Sequence, residues 1–428
     1  MITPEQNKRL TETGPGTPGG KLLRRYWQPI ARSSELPEGS PPVPIRIMSE
    51  DLVLFRDETG HIGLLGRHCS HRRTDLSFGR IENGGLRCLY HGWLYDTAGN
   101  CLDQPAEPDS NAQMKCAVKH KAYPCREVSG LIFTYMGEGT PPILPDYEFL
   151  QHDEWHRNLT KIYFDCNWLQ AIEGNIDPSH LSYLHRPVTP VDSRPVPGSD
   201  RSADAYYRGD GRPTLEYEPT HYGLRIYSIR QSDKGKYVRI TNFLMPNKTA
   251  IVGNEGRVGQ GYQVNWHVPI DDTHHLRFDI AFNRAKPFTA EASRRAWQDL
   301  TPDGHLQRNL GNRYLQSRAE MITKNFTGMG GSFVVHDAFA VESAGPINDR
   351  TQEFLGTTDM PIVQARKQLL AGMDAIERGQ EPLHVITDPA KNDMSDMVVF
   401  SGVIPADADH RSCWKEKVRR DPALVPGE

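Results

Sequence analysis

The feature that most restricts this chain is a pair of short Cys/His motifs. One is Cys69-Ser70-His71; the other, sixteen residues later, is Cys88-Leu89-Tyr90-His91-Gly92-Trp93. Four soft or borderline metal ligands on two nearby loops can hold one metal centre if those loops converge. A structural zinc site is the plain reading. Zinc fingers, however, usually keep both Cys in one pair and both His in the other. Here each loop offers one of each, as C-x-H and C-x-x-H. The remaining five cysteines, Cys101, Cys116, Cys125, Cys166 and Cys413, have no partner at ligand spacing and read as packing residues. Seven scattered cysteines, an odd number, also argue against a disulfide framework.

The mixed arrangement suits a [2Fe-2S] cluster of the Rieske type, in which two thiolates hold one iron and two imidazoles the other. The surrounding pattern agrees with a small β-domain. From about residue 43 to 137 short apolar runs alternate with tight turns. Asp57-Glu58-Thr59-Gly60 and Thr97-Ala98-Gly99-Asn100 read as hairpin turns, and 131–136 as a further strand. Trp93 reads as a shield for the cluster and His68 as a loop residue. Residues 14–20 read as a loop and 137–146, rich in Gly and Pro, as a linker. The expected division is 1–150 and 151–428.

Beyond the linker the texture changes. Residues 167–185 have helical character and end in Glu173-Gly-Asn-Ile-Asp177-Pro178-Ser-His180-Leu-Ser-Tyr-Leu-His185. Two His with a nearby acid suggest the 2-His-1-carboxylate set that holds a mononuclear Fe(II) on one face. Residues five apart on a regular α-helix are rotated by roughly 140°. The helix must therefore be distorted or must end before His185. Asp177-Pro178 is a start signal for a new helical segment. The segment from Gly330 to Ser343 offers Asp337 and Glu342 as further acids, and either could be the third ligand. Residues 186–213 read as a polar loop. Residues 223–230, 237–244, 261–268 and 274–283 read as strands of an antiparallel sheet, and 288–327 and 361–377 as helical.

Composition closes off other classes. The chain has 428 residues, with 50 Lys+Arg against 54 Asp+Glu and a formal charge of -4. That is no basic nucleic-acid footprint. No apolar run approaches the roughly 18 residues of a membrane span. The polar start, Met1-Ile-Thr-Pro-Glu-Gln-Asn-Lys8, lacks the apolar stretch of a signal peptide, so a cytoplasmic protein is expected.

At this point the chain resembles the oxygenase α-subunits of Rieske non-haem iron aromatic oxygenases, in the phthalate dioxygenase branch. The resemblance rests on Tyr26-Trp-Gln-Pro29, the two Cys/His motifs, Asn167-Trp-Leu-Gln170, Asp177-Pro-Ser-His180 and the stretch from Gly345-Pro-Ile-Asn-Asp-Arg350 to Asp359. It implies an α+β fold: an N-terminal all-β Rieske domain and a C-terminal helix-grip catalytic domain with an antiparallel sheet. It implies that Cys69, His71, Cys88 and His91 hold the cluster and that His180, His185 and Asp337 hold Fe(II). It gives Asp177 the role of a bridging carboxylate between the metal sites of neighbouring subunits. O2 is the implied co-substrate. An NADH-dependent reductase with flavin and plant-type 2Fe-2S ferredoxin domains is the implied donor, and head-to-tail trimers or hexamers are the implied assembly. Two departures stand out. Ser70 occupies a position often held by Pro, and Glu173 one often held by Asn near the iron.

The branch acts on carboxylated aromatics, among them phthalate, chlorobenzoate, phenoxybenzoate and dehydrodivanillate. Hydroxylation of a phthalate- or benzoate-like acid is therefore expected. Oxidative O-demethylation of a methoxylated lignin-derived aromatic or biaryl is the alternative. A carboxylate suits an Arg fork. Period two puts Tyr237, Arg239, Thr241 and Phe243 on one strand face, and Arg225, Tyr227 and Ile229 on another. Arg225 and Arg239 are thus candidate substrate residues. The competing reading leaves both solvated or in structural ion pairs.

Overall fold

A computed structural model describes residues 2–108, 112–188, 204–253, 261–284 and 286–412. Cys413 lies outside them. The first half builds three small antiparallel sheets. One pairs Gln28–Arg32, Leu131–Thr134 and Cys125–Val128; a second runs Val43–Ile47, Glu50–Arg56, Ile62–Gly66 and Ala122–Tyr123. The third runs Arg80–Glu82, Gly85–Arg87, Leu94–Tyr95 and Cys101–Asp103. The expected hairpins are present. In the first, Asp57 Oδ1 accepts from the Thr59 and His61 amides, and Gly60 takes φ +89°. A side chain at that φ would be strained, which is why Gly closes the turn.

The second half is one eight-stranded antiparallel sheet. Its path is Arg157–Phe164, His275–Asn283, Gly261–Pro269, Lys248–Ile251, Gly235–Leu244, Gly223–Ser232 and Thr214–Pro219, with Phe400–Ile404 pairing off Gly235–Leu244. The helices Trp168–Ile176 and Met360–Glu377 pack on this sheet, burying Ile172, Ile176, Leu369 and Met373 with Ile226, Phe243 and Trp266. Four sheet strands were foreseen with nearly these limits. The short or less apolar ones, Arg157–Phe164, Thr214–Pro219, Lys248–Ile251 and Phe400–Ile404, were not.

Three local expectations are corrected. Residues 14–20 are not all loop: Pro18–Arg24 is a helix whose N-cap Thr17 accepts from the Gly20 amide at 3.0 Å. The polar stretch after residue 186 contains a helix at Asp204–Gly209. The stretch 288–327 is broken into Ala290–Trp297 and Arg318–Thr323, because Thr301-Pro-Asp-Gly304 makes a turn with Gly304 at φ +90°. The two N-terminal helices, Pro4–Thr11 and Pro18–Arg24, lean on the second half. Arg9 pairs with Asp374 at 2.6 Å, and a Cβ on Gly372 would sit 2.9 Å from Leu22 Cδ1.

Candidate active site

Each cluster loop closes on itself in the same way. The Arg73 amide donates to the Cys69 carbonyl at 2.9 Å and the Gly92 amide to the Cys88 carbonyl at 3.1 Å. Both turns need a left-handed residue, Arg73 at φ +64° and Gly92 at φ +75°. The turns present Cys69 and Cys88 inward, 1% and 3% exposed, and leave His71 and His91 half-buried. The two imidazoles meet edge to face with centroids 4.5 Å apart. Trp93 stacks flat on His71 at 4.6 Å, the shielding position expected of it. His71 Nδ1 is buried with no hydrogen-bond partner. A buried unpaired nitrogen beside two buried thiols costs stability unless it binds something. The donor set fits a cluster. Ser70, the departure from the usual Pro, donates to or accepts from His120 Nδ1 at 2.7 Å.

Of the other cysteines, Cys101 and Cys166 are buried and Cys125 is half-buried, as packing residues would be. Cys116 is exposed on the short helix Ala112–Ala117, which corrects that reading for one residue.

The second centre forms where the helix Trp168–Ile176 stops. Asp177 is its C-cap, His180 opens a 3₁₀ turn at His180–Ser182, and His185 follows in irregular chain. The geometric requirement is met by ending the helix early; no bulge is involved. Asp177 Oδ1 accepts from the Ser179 amide at 2.7 Å, so the acid turns the chain and does not start a new α-helix. Asp337 comes from the helix Phe333–Glu342. Ligand atoms of His180, His185 and Asp337 all lie within 4.8 Å of one another, and His185 Nε2 is 3.0 Å from Asp337 Oδ1. Glu342 points elsewhere: it accepts from Tyr314 Oη at 2.5 Å and from the Asp165 amide at 3.1 Å.

Electrostatics favour the ligating form of Asp337 and His185, and oppose it at His180. Burial alone would raise the Asp337 carboxyl, but His185, His180 and Arg277 outweigh it and hold it at about 2. Burial pushes His185 down, toward the neutral imidazole that a metal takes. Burial pushes His180 down too, but the Asp177 carboxylate more than offsets it and the net shift is upward. His180 Nδ1 stands 3.8 Å from Asp177 Oδ2, too far for a hydrogen bond, and has no other partner.

A cavity of about 500 Å³ opens onto this triad. Asp177, Tyr207, Arg239, Thr241, Asn265 and Phe333 are among its walls. Arg239 and Thr241 reach it from one strand face, as period two predicted. Arg239 donates to Tyr207 Oη at 3.1 Å and to the Val252 carbonyl at 3.2 Å.

Arg225 does not reach the cavity, which corrects its candidacy. The strand register pairs Arg225 with Asn242 and Ser228 with Arg239. Directly paired residues share a sheet face, so Arg225 lies opposite to Arg239. It is buried in an ion pair with Glu218. Glu173 is not among the cavity's lining residues either. It is 8% exposed and accepts from Arg350 Nη2 at 2.9 Å and Arg366 Nε at 2.6 Å. Burial would raise its pKa; the two guanidinium groups bring it below the ordinary value.

Sequence reasoning missed Arg230. Fully buried, it donates to the Pro178 carbonyl at 3.0 Å and Ser182 Oγ at 3.3 Å, bracing the loop that carries His180. The register would have found it, since Arg230 pairs with Tyr237 on the cavity face. His336 was missed for a different reason: beside Asp337 it has no spacing signal of its own.

Residues 26–124 match the Rieske [2Fe-2S] domain family, and residues 134–425 match the family described as LigXa C-terminal domain like. The chain belongs to the Rieske non-haem iron oxygenases. It is 35% identical to the phthalate 4,5-dioxygenase oxygenase subunit of Pseudomonas putida, over 96% of this chain and 94% of that one. It is 37% identical to the 5,5'-dehydrodivanillate O-demethylase oxygenase subunit of Sphingobium sp. (strain NBRC 103272 / SYK-6), over 92% and 85%. Among solved structures, the reduced complex between oxygenase and ferredoxin in carbazole 1,9a-dioxygenase superposes with a TM-score of 0.55 at 20% identity, over 91% of this chain and 97% of that one. That likeness is one of fold. This Rieske oxygenase α-subunit is thus an oxidoreductase with a [2Fe-2S] cluster and a mononuclear iron that uses O2. Its fold is the expected α+β one. Among the described residues no helix is long and apolar enough to cross a membrane.

Proposed function

We propose that this Rieske oxygenase is the terminal component of an aromatic-acid oxygenase system and that its substrate carries a carboxylate. In this reading Cys69, His71, Cys88 and His91 hold the cluster, and His180, His185 and Asp337 hold the iron. Arg239 receives the carboxylate. The observation that carries the reading is Arg239 in the wall of the cavity of about 500 Å³ that His180, His185 and Asp337 also line. A buried guanidinium held in that wall by Tyr207 and the Val252 carbonyl is already ordered for a carboxylate, which keeps the ordering cost of binding low.

When bound, the iron with open positions supplies reductive activation of O2, with electrons delivered through the cluster. The chain's own residues do the rest. Arg239 orients the ring, Thr241 and Asn265 add polar contacts beside it, and Phe333 and Val334 keep that wall apolar. Asp177 Oδ2 stands 3.8 Å from His180 Nδ1, where its negative charge favours a proton on that nitrogen.

The proposal extends to the assembly and its donor. An NADH-dependent reductase with flavin and 2Fe-2S ferredoxin domains supplies electrons in the cytoplasm, and the subunits form a homotrimer or hexamer in which one cluster serves the neighbour's iron. Two exposed apolar rims support the docking: Phe78, Leu89 and Tyr90 by the cluster, Tyr183 and Phe326 by the iron site. Residues 1–150 form the Rieske domain with its N-terminal extension and 151–428 the catalytic domain. The last small-sheet strand ends at Thr134 and the first large-sheet strand begins at Arg157, which supports that division.

O-demethylation of a methoxylated biaryl acid uses the same ligands and is the second reading, favoured by the 37% identity to the dehydrodivanillate enzyme. Product analysis with phthalates, benzoates and methoxylated biaryl acids, using a phthalate-type reductase, tests both. Hydroxylated product or formaldehyde from an acid, with none from its methyl ester or amide, is the expected result. Equal turnover of acid and ester would overturn the carboxylate assignment.

A further inference from the structure

We infer that His336 is a positioning residue for the iron site, holding His185 in the tautomer and orientation that a metal needs. The inference rests on the reading of His180, His185 and Asp337 as the iron ligands and adds a member that this reading does not contain.

The argument follows one line of hydrogen bonds. His336 Nε2 lies 3.0 Å from the Gly330 carbonyl, which can only accept, so that nitrogen carries the proton. His336 Nδ1 of the neutral ring is then an acceptor. It lies 3.3 Å from His185 Nδ1, which must therefore be the donor. With the proton on Nδ1, the lone pair of His185 is on Nε2. That is the atom 3.0 Å from Asp337 Oδ1, on the side where the three ligand groups converge.

The far end of the line is anchored as well. The Gly330 carbonyl also accepts from Asn325 Nδ2 at 2.6 Å. The Phe326 amide donates to the Arg186 carbonyl and the Val188 amide to the Lys324 carbonyl, both at 2.8 Å. The loop that fixes His336 is thus paired directly to the chain that follows His185. Phe333 stacks on the His185 ring at 4.3 Å and 18° from the same helix. His336 itself is 2% exposed, and no solvent needs to complete its hydrogen bonding.

The two imidazoles of the site differ in this respect. His185 has its far nitrogen satisfied inside the chain, whereas His180 Nδ1 has no partner in it. His336 thus fixes one ligand before any metal or neighbouring subunit arrives.

The test compares His336→Gln with His336→Phe in the intact, cluster-loaded protein. Gln can accept from His185 with its carbonyl and donate to Gly330 with its amide; Phe keeps the ring and removes both bonds. The readouts are Fe(II) affinity of the cluster-loaded protein stripped of mononuclear iron, and the visible spectrum of Co(II) at that site, with cluster absorbance as the folding control. His336→Phe is expected to weaken Fe(II) binding by about 10–100-fold and to alter the Co(II) spectrum, with His336→Gln within a few-fold of wild type. Should His336→Phe not fold, His336→Leu takes its place. Wild-type affinity and spectrum in Phe or Leu would overturn the inference, as would Gln failing as badly as Phe. Wild-type protein that binds no Fe(II) beyond its cluster would instead overturn the reading of the iron ligands.

Discussion

The two metal regions draw on the chain very differently. In the first, all four proposed donors lie within residues 69–91, on two loops that close with the same backbone bond, Arg73 to Cys69 and Gly92 to Cys88. In the second, His180 and His185 meet Asp337 from a helix more than 150 residues away. The cluster site is local geometry, and its surroundings are short sheets that mainly keep it rigid. The iron site exists only once the large sheet has brought two distant segments together. A local site is robust to change elsewhere and legible as a motif. An assembled site can be lost by altering residues that never touch the metal.

The largest expected effect separates the two sites outright. Asp337→Ala should abolish turnover and lose the mononuclear iron while cluster absorbance stays unchanged, whereas Glu342→Gln should retain that iron. Iron analysis and the visible spectrum check both. Loss of the cluster in Asp337→Ala would mean that the two regions are not independent.

Next comes the local site. His71→Cys replaces a neutral imidazole by a thiolate, and the cluster potential should fall by on the order of 100 mV or more, read by redox titration. An unchanged potential and spectrum would remove His71 from the ligand set.

The assembled site should also respond at a distance. Glu173→Gln strips the charge between Arg350 and Arg366, and breaking such a buried group costs about 3–5 kcal/mol. Thermal unfolding should show a clear drop in Tm, with the cluster spectrum intact below it. The same group gives a pH dependence. Its folded pKa is below the unfolded one, so its contribution is complete above the unfolded Glu value of about 4.3 and is lost as pH falls through the folded value. In Glu173→Gln that part of the acid destabilisation should vanish.

A fourth measurement asks whether Asp177 links the two regions. Asp177→Asn keeps the turn that Oδ1 makes with the Ser179 amide, because Asn caps as well as Asp. Both metal sites should fill, yet cluster oxidation in single turnover should slow at least about tenfold, a loss of ~1.4 kcal/mol in barrier terms. A wild-type rate would leave Asp177 with a turn-forming role only.

The smallest effect distinguishes two faces of one sheet. Arg239→Leu should raise KM for a carboxylated substrate by roughly tenfold or more, since a hydrogen bond to a charged group is worth about 1.5–3 kcal/mol. Arg225→Leu should leave KM alone and lower Tm, because its partner is Glu218. Equal KM effects would contradict the register.

Much was legible before any coordinates. The Cys/His spacing pointed to the cluster, since its four proposed ligands need no long-range contact to be recognised. Period-two runs placed four strands of the large sheet, and the rotation of roughly 140° between residues five apart required the helix to be distorted or to stop before His185. The same rotation separates Asp337 from Glu342, so at most one could face the histidines, but sequence carries no phase for that helix. Only packing chose: Tyr314 and the Asp165 amide hold Glu342, leaving Asp337 to the site. Arg225 and Arg239 looked alike because each strand's alternation is internal to it. Which face of one strand matches which face of the next is set by register, and that is a property of the pair. Glu173 stands at a position that the resemblance often gives to an Asn near the iron. Its direction was decided by Arg350 and Arg366, distant cations whose pairing with a buried acid only the folded chain brings about.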